Sequence, residues 1–178
     1  IQFQTIRRLM PDIKVVGIVL TPLCSSRKEA LNVAASQYGL KLNVIQTEER
    51  RQIIPAMKQV YQESDAYLLL PDPNLLNDII FQELLRLQHE YQRPLIGPAV
   101  PFVRMGAMVS INYKLHKLVQ YIAQNISNTE LMDNWEKMSE CCLEISINEH
   151  VAQQLDVRVT TEVMESLVNR ISPAEVRH

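Results

Sequence analysis

Apolar and polar positions alternate along this chain with two periods. Val15 to Leu20 is a continuous apolar run, the pattern of a strand covered on both faces. Ser25 or Ser26 is placed to cap a helix that runs to about Tyr38, and Gly39 supplies its stop. The cycle then repeats. Leu42 to Thr47 reads as a second strand and Arg50 to Ser64 as a second helix. Ala66 to Leu70 reads as a third strand, stopped by Pro71-Asp72-Pro73. Asn74 to Gln92 reads as a long helix with Leu75, Ile79, Leu84 and Leu87 among its apolar positions. Pro94 to Val100 and Ala107 to Ile111 complete a set of about five strands, with a turn or short helix between them. A short helix at residues 1–10 precedes the set.

Strands that alternate with helices predict an α/β fold: an open, doubly wound parallel sheet with helices on both faces, a Rossmann-like lobe. The later part differs. Tyr113 to Ser127 carries a stripe of Leu115, Leu118, Val119, Ile122 and Ile126. Residues 128–140 are polar and read as a connection. Cys141 to Ile147 reads as another strand, Asn148 as the cap of a helix to about Leu155, and Thr160 to Ile171 as a last amphipathic helix.

Composition narrows the function. The 178 residues are 47% hydrophobic with a net charge of -2, so a core is expected and nucleic acid is not an expected partner. Ile1 is not an initiator methionine, so the chain is expected to begin inside a longer protein. Cys24, Cys141 and Cys142 fit neither a disulfide framework nor a zinc site and read as small core residues.

In an open parallel sheet, ligands sit beyond the carboxyl ends of the strands. The loops expected there carry Thr21, Ser25 and Ser26, then Thr47 and Glu48, then Asp72 and Asn74, then residues 98–102 with Phe102, then Asn112 and Tyr113. Ser25 and Ser26 can cap a helix or also offer hydroxyl and N–H groups to a polar ligand. Asp72 can brace the turn between two prolines and Asn74 can cap the next helix, or both can face the cleft. Glu48-Glu49 beside Arg50-Arg51 reads as a solvated charged turn. The four histidines lack ligand spacing, and no phosphate loop or dinucleotide fingerprint occurs, so no metal, no cofactor and no catalytic residue is assigned. A phosphorelay receiver would need an acidic pair after the first strand, where Thr21-Pro22 stands.

The order of segments resembles a known family. "IRRLMPDIKVVGIVLTPLCSSRKEA" is similar to the lead-in to the second lobe of ABC-transporter substrate-binding proteins of the type 1 periplasmic-binding fold. "DAYLLLPDPNLLNDIIFQELLRLQHEYQRPLIGPAVPFVRMGAMVSINY" and "LEISINEHVAQQL" continue the likeness. Thr21 stands where the family has asparagine, Asn112 where it has aspartate, and residues 99–102 are apolar where it is often acidic.

The resemblance implies a C-terminal lobe formed by residues 1–112 and 141–178, with 113–140 packing on a missing N-terminal lobe or a partner chain. It implies no enzyme activity. It implies a small polar or amino-acid-like solute held between lobes, a membrane permease or sensor as partner, and a periplasmic or extracytoplasmic location. The site residues expected are Thr21, Ser25, Ser26, Asp72, Asn74 and Asn112, with Phe102 and Tyr113 as walls. The exposed stripe of 113–127 is expected to dock on a second chain, as in a homodimer, or to fold back on its own sheet. The alternative reading is a degenerate interaction module of an envelope receptor or assembly machine, with no small-molecule ligand. An enzyme on a flavodoxin-like sheet is a third reading that no catalytic constellation supports.

Overall fold

The computed structural model describes residues 1–125, 142–160 and 168–171. The elements in chain order are α1 (Gln2–Leu9), β1 (Val15–Leu20), α2 (Lys28–Ser36), β2 (Lys41–Gln46), α3 (Ile53–Glu63), β3 (Ala66–Leu68), α4 (Asp78–Tyr91), β4 (Leu95–Gly97), α5 (Val100–Arg104), β5 (Val109–Tyr113), α6 (Leu115–Asn125), β6 (Leu143–Asn148), α7 (Glu149–Gln154) and β7 (Val168–Ile171). One seven-stranded sheet forms in the order β2-β1-β3-β4-β5-β6-β7. The first five strands are parallel to one another, β6 runs antiparallel to β5, and β7 is parallel to β6.

The period of two explains the two-faced core. Val16, Ile18 and Leu20 of β1 and Leu68 of β3 point to one face, with Ile6 and Leu9 of α1 and Val151 and Ala152 of α7. Val19 and Tyr67 point to the other, with Met57 and Val60 of α3 and Phe81 and Leu84 of α4. Each fully buried aliphatic side chain of this kind contributes about 1.5–3 kcal/mol. One polar side chain joins the second face. Gln88 is completely buried. Its Oε1 accepts from the N–H groups of Leu95 and Met108 at 3.0 and 3.1 Å, and its Nε2 donates to the Gly106 carbonyl at 3.0 Å. It pins α4 to the starts of β4 and β5.

Several expectations are corrected. The sheet extends past five strands, because β6 pairs with β5 and β7 with β6. The helix expected over Thr160 to Ile171 is a strand at Val168–Ile171, where the backbone finds a parallel partner in β6; residues 161–167 lie outside the described residues. Neither Ser25 nor Ser26 caps a helix. A 3-10 turn at Ser25–Arg27 precedes α2 with Cys24 at its cap position, and Ser25 Oγ donates instead to the Pro22 carbonyl at 3.0 Å. The helix expected from Asn74 begins at Asp78. Asp72 accepts from the N–H groups of Leu75 and Leu76 and makes a tight turn of 72–76, and Asn77 caps the helix by accepting from Ile80 N. Asn148 does cap α7, accepting from Val151 N at 3.2 Å.

α6 leaves the sheet. None of its residues is buried, and Leu115 and Val119 are 71% and 57% exposed. The stripe does not fold back onto the sheet in the described residues; its last member, Ile126, lies outside them.

Candidate functional site

The carboxyl ends of β1, β3, β4 and β5 lie along one rim, because these strands are parallel neighbours. At its centre, Thr21 follows β1 and Asp72 follows β3. Both are buried, with Asp72 wholly inaccessible. Thr21 Oγ1 donates to Asp72 Oδ2 at 2.5 Å, and the Asn74 N–H donates to Asp72 Oδ1 at 2.9 Å. Asn74 Nδ2 reaches Thr21 Oγ1 at 3.4 Å, so three residues from two loops form one network. A buried carboxylate is costly unless donors meet both oxygens, and here they do. Cys24 lies against this carboxylate. Burial, and then the Asp72 charge, push its thiol above the ordinary value.

Beside the network is a pocket of about 190 Å³. Thr21, Leu23, Thr47, Glu48, Arg50 and Asn74 are among its lining residues. Thr47 is buried and donates to the Leu20 carbonyl at 3.4 Å. The loop after β2 is held by a capping box: Glu49 accepts from the Gln52 backbone, and the Gln52 side chain accepts from Glu49 and Glu48 N–H. The charged turn of the sequence is therefore ordered.

A second polar group stands further along the rim. Three interstrand steps of about 4.8 Å separate β1 from β5, so it lies roughly 14 Å from Thr21. Asn112 is opposite Glu144 of β6 and donates to its Oε2 at 3.2 Å. Ser110 Oγ donates to Asn112 Oδ1 at 3.4 Å, and Lys114 Nζ stands 3.9 Å from Glu144 Oε1. Tyr113 packs against the first core face. Phe102 meets Phe81 edge to face, with ring centres 5.0 Å apart.

The structure thus joins Thr21, Asp72 and Asn74 in one network and sets Asn112 and Tyr113 further along the same rim. Ser26 is exposed and Ser25 half-buried on the loop above Thr21, outside the pocket lining. The sequence reading passed over Glu144, which faces Asn112 only through the antiparallel return of β6. It also passed over Cys24, which meets Asp72 across two loops. Among the described residues no group of three or more His, Cys, Asp or Glu is placed to hold a metal ion. No helix there is long and apolar enough to cross a membrane.

In a doubly wound sheet the carboxyl rim of the strands is where ligands bind, and here that rim carries polar side chains and a pocket between loops. The chain belongs to the ABC transporter substrate binding protein family, whose profile matches residues 2–170.

Three solved structures share the fold. A conserved domain protein from Vibrio cholerae is 19% identical with a TM-score of 0.68; the match covers 94% of this chain and 57% of that one. An ABC domain from Streptococcus pneumonia in complex with L-Trp is 17% identical with a TM-score of 0.68, covering 94% and 58%. A substrate binding protein with adhesive properties from Clostridium difficile, in a ligand-free, open structure, is 14% identical with a TM-score of 0.69, covering 96% and 58%. The chain therefore spans less than two thirds of the length of each. No curated protein matches it.

Proposed function

We propose that this chain is the solute-binding lobe of a two-lobe protein that captures a small polar or amino-acid-like ligand for uptake through a membrane permease or for sensing. The observation that carries the reading is the Thr21–Asp72–Asn74 network beside the 190 Å³ pocket at the strand ends. The network fixes the Thr21 hydroxyl and the Asn74 amide in place before a ligand arrives. Such preorganisation lowers the cost of binding. Asn74 and Asn112 contact the ligand, Phe102 and Tyr113 wall it in, and Asp72 holds the others in position. Ser25 and Ser26 reach it only from the loop above.

The lobe comprises residues 1–112 and 141–178. Segment 113–140 packs on the rest of the two-lobe protein, and support comes from α6, whose Leu115 and Val119 face solvent in this chain. Closure of the lobes over the solute changes the surface a permease or sensor meets, on the extracytoplasmic side. The protein binds and releases without chemistry.

A thermal-shift screen of the complete two-lobe protein against amino acids and small organic acids tests the proposal. A folded protein whose melting temperature moves with none of them would contradict it.

A further inference from the structure

β2 stands at one end of the sheet, and among the described residues no strand pairs with its outer side. Lys41 and Thr47 donate their N–H groups to Lys14 and Leu20, toward β1. Alternation along the strand therefore turns the N–H and carbonyl groups of Leu42, Val44 and Gln46 outward. Sheet edges are commonly blunted by charge, proline or a bulge. β2 has none of these in its interior. Its pairing with β1 runs unbroken from Lys41 to Gln46, and its one charged residue is the first.

Both faces of this edge are incompletely covered. Leu42 and Val44, with Leu31 and Ala34 of α2, are only half-buried against the first core face, and Val33 of α2 is 56% exposed. On the other face, Ile45 borders a groove of about 410 Å³ beside Pro55 and Gln59 of α3. Glu48 is the one charged residue of that lining, and no ion pair engages it among the described residues.

We propose that β2 pairs antiparallel with β2 of a second copy about a two-fold axis, joining two sheets into one. The outward groups set the register. Leu42 lies opposite the partner's Val44 as a hydrogen-bonded pair, and Asn43 opposite the partner's Asn43 as a non-hydrogen-bonded pair. Leu42 and Val44 of both copies then meet on the α2 face. The partner's Lys41 falls opposite Ile45 on the α3 face, where the groove offers Glu48. Lys41 is exposed in the single chain. Symmetry makes this charge match twice, which favours a second copy over an unrelated extended peptide. The contact lies at the far side of the sheet from β5, so it is separate from any contact α6 makes.

Sedimentation equilibrium on the full-length protein tests this. The wild type should sediment as a dimer at micromolar concentration. Lys41→Glu and Glu48→Lys should each raise the dimer dissociation constant by about tenfold or more, and the double variant should recover most of the loss. Asn43→Cys should cross-link on mild oxidation, because the Cα atoms of a non-hydrogen-bonded pair stand about 4.5 Å apart. Lys41→Cys, whose two copies are four positions out of register, should not. All these positions are exposed or half-buried, so circular dichroism of the variants should match the wild type. A wild type that is monomeric at every concentration would overturn the pairing. So would a dimer unmoved by both charge reversals, or one that Lys41→Cys cross-links and Asn43→Cys does not. Each of these results leaves the solute-binding role standing.

Discussion

The Thr21 hydroxyl donates to the Asp72 carboxylate at 2.5 Å across the ends of two adjacent strands, in a place water does not reach. The contact joins residues 51 positions apart and closes the base of the rim on which the binding proposal stands.

Loss of either partner leaves a buried polar group unsatisfied. Thr21→Val should destabilise the fold by about 1–3 kcal/mol, and Thr21→Ser by much less. Urea unfolding measures both. A charge reversal at Asp72 would disrupt folding before it reported on a ligand, so exposed Asn74 and half-buried Asn112 are the better probes of binding.

Gln88 offers a second test, away from the rim. Gln88→Leu removes three hydrogen bonds to backbone groups of β4 and of the segment that leads into β5. Each orphaned group costs about 1–3 kcal/mol, and the loss should show as a lowered denaturation midpoint.

Two glycines separate crowding from backbone conformation. A Cβ on Gly17 would stand 2.2 Å from Val60 Cγ1 and 2.6 Å from Ser64 Oγ, so Gly17→Ala should force β1 and α3 apart at about 1–3 kcal/mol. Gly39 has φ +67 and open space around it. Gly39→Ala should cost about 1–2 kcal/mol from conformation alone. Thermal unfolding of the two variants checks both figures.

Alkali should weaken the fold. Burial, and then Asp72, raise the Cys24 thiol above its unfolded value of 9.0, and burial raises Tyr61 and Tyr67 above 10.0. The folded chain holds these protons more tightly than the unfolded chain. Their stabilisation is complete below pH 9 and is lost as pH rises through and above that point. Unfolding free energies at pH 7 and pH 10 should show the drop, and Cys24→Ala should make it smaller. Cys24 should also alkylate slowly in the native state at pH 8.

The alternation of Val15–Leu20, Leu42–Thr47 and Ala66–Leu70 with helical stripes made the parallel sheet legible: β1 and β3 are central, buried and apolar, while the edge strand β2 is only half-buried and still carries Leu42, Val44 and Ile45 at strand spacing. Asn148 was legible as a cap because its partner lies three residues on. The Ser25 and Asn74 caps were misplaced because the loops make their own turns, through the Pro22 carbonyl and through Asp72. β7 was missed because a short strand of mixed polarity depends on β6 beside it. At the site, the rim loops could be read, but the pairings Thr21–Asp72 and Asn112–Glu144 could not. They join distant segments through register, which no local spacing encodes.

The most direct measurement is a calorimetric titration of the two-lobe protein and its Asn74→Ala and Asn112→Ala variants with the tightest solute of the amino-acid and organic-acid panel. We expect saturable binding to the wild type, a loss of about tenfold or more in each variant, and ligand-free melting temperatures close to the wild type. Superimposable isotherms for all three proteins would place the solute elsewhere and contradict a binding site at this rim.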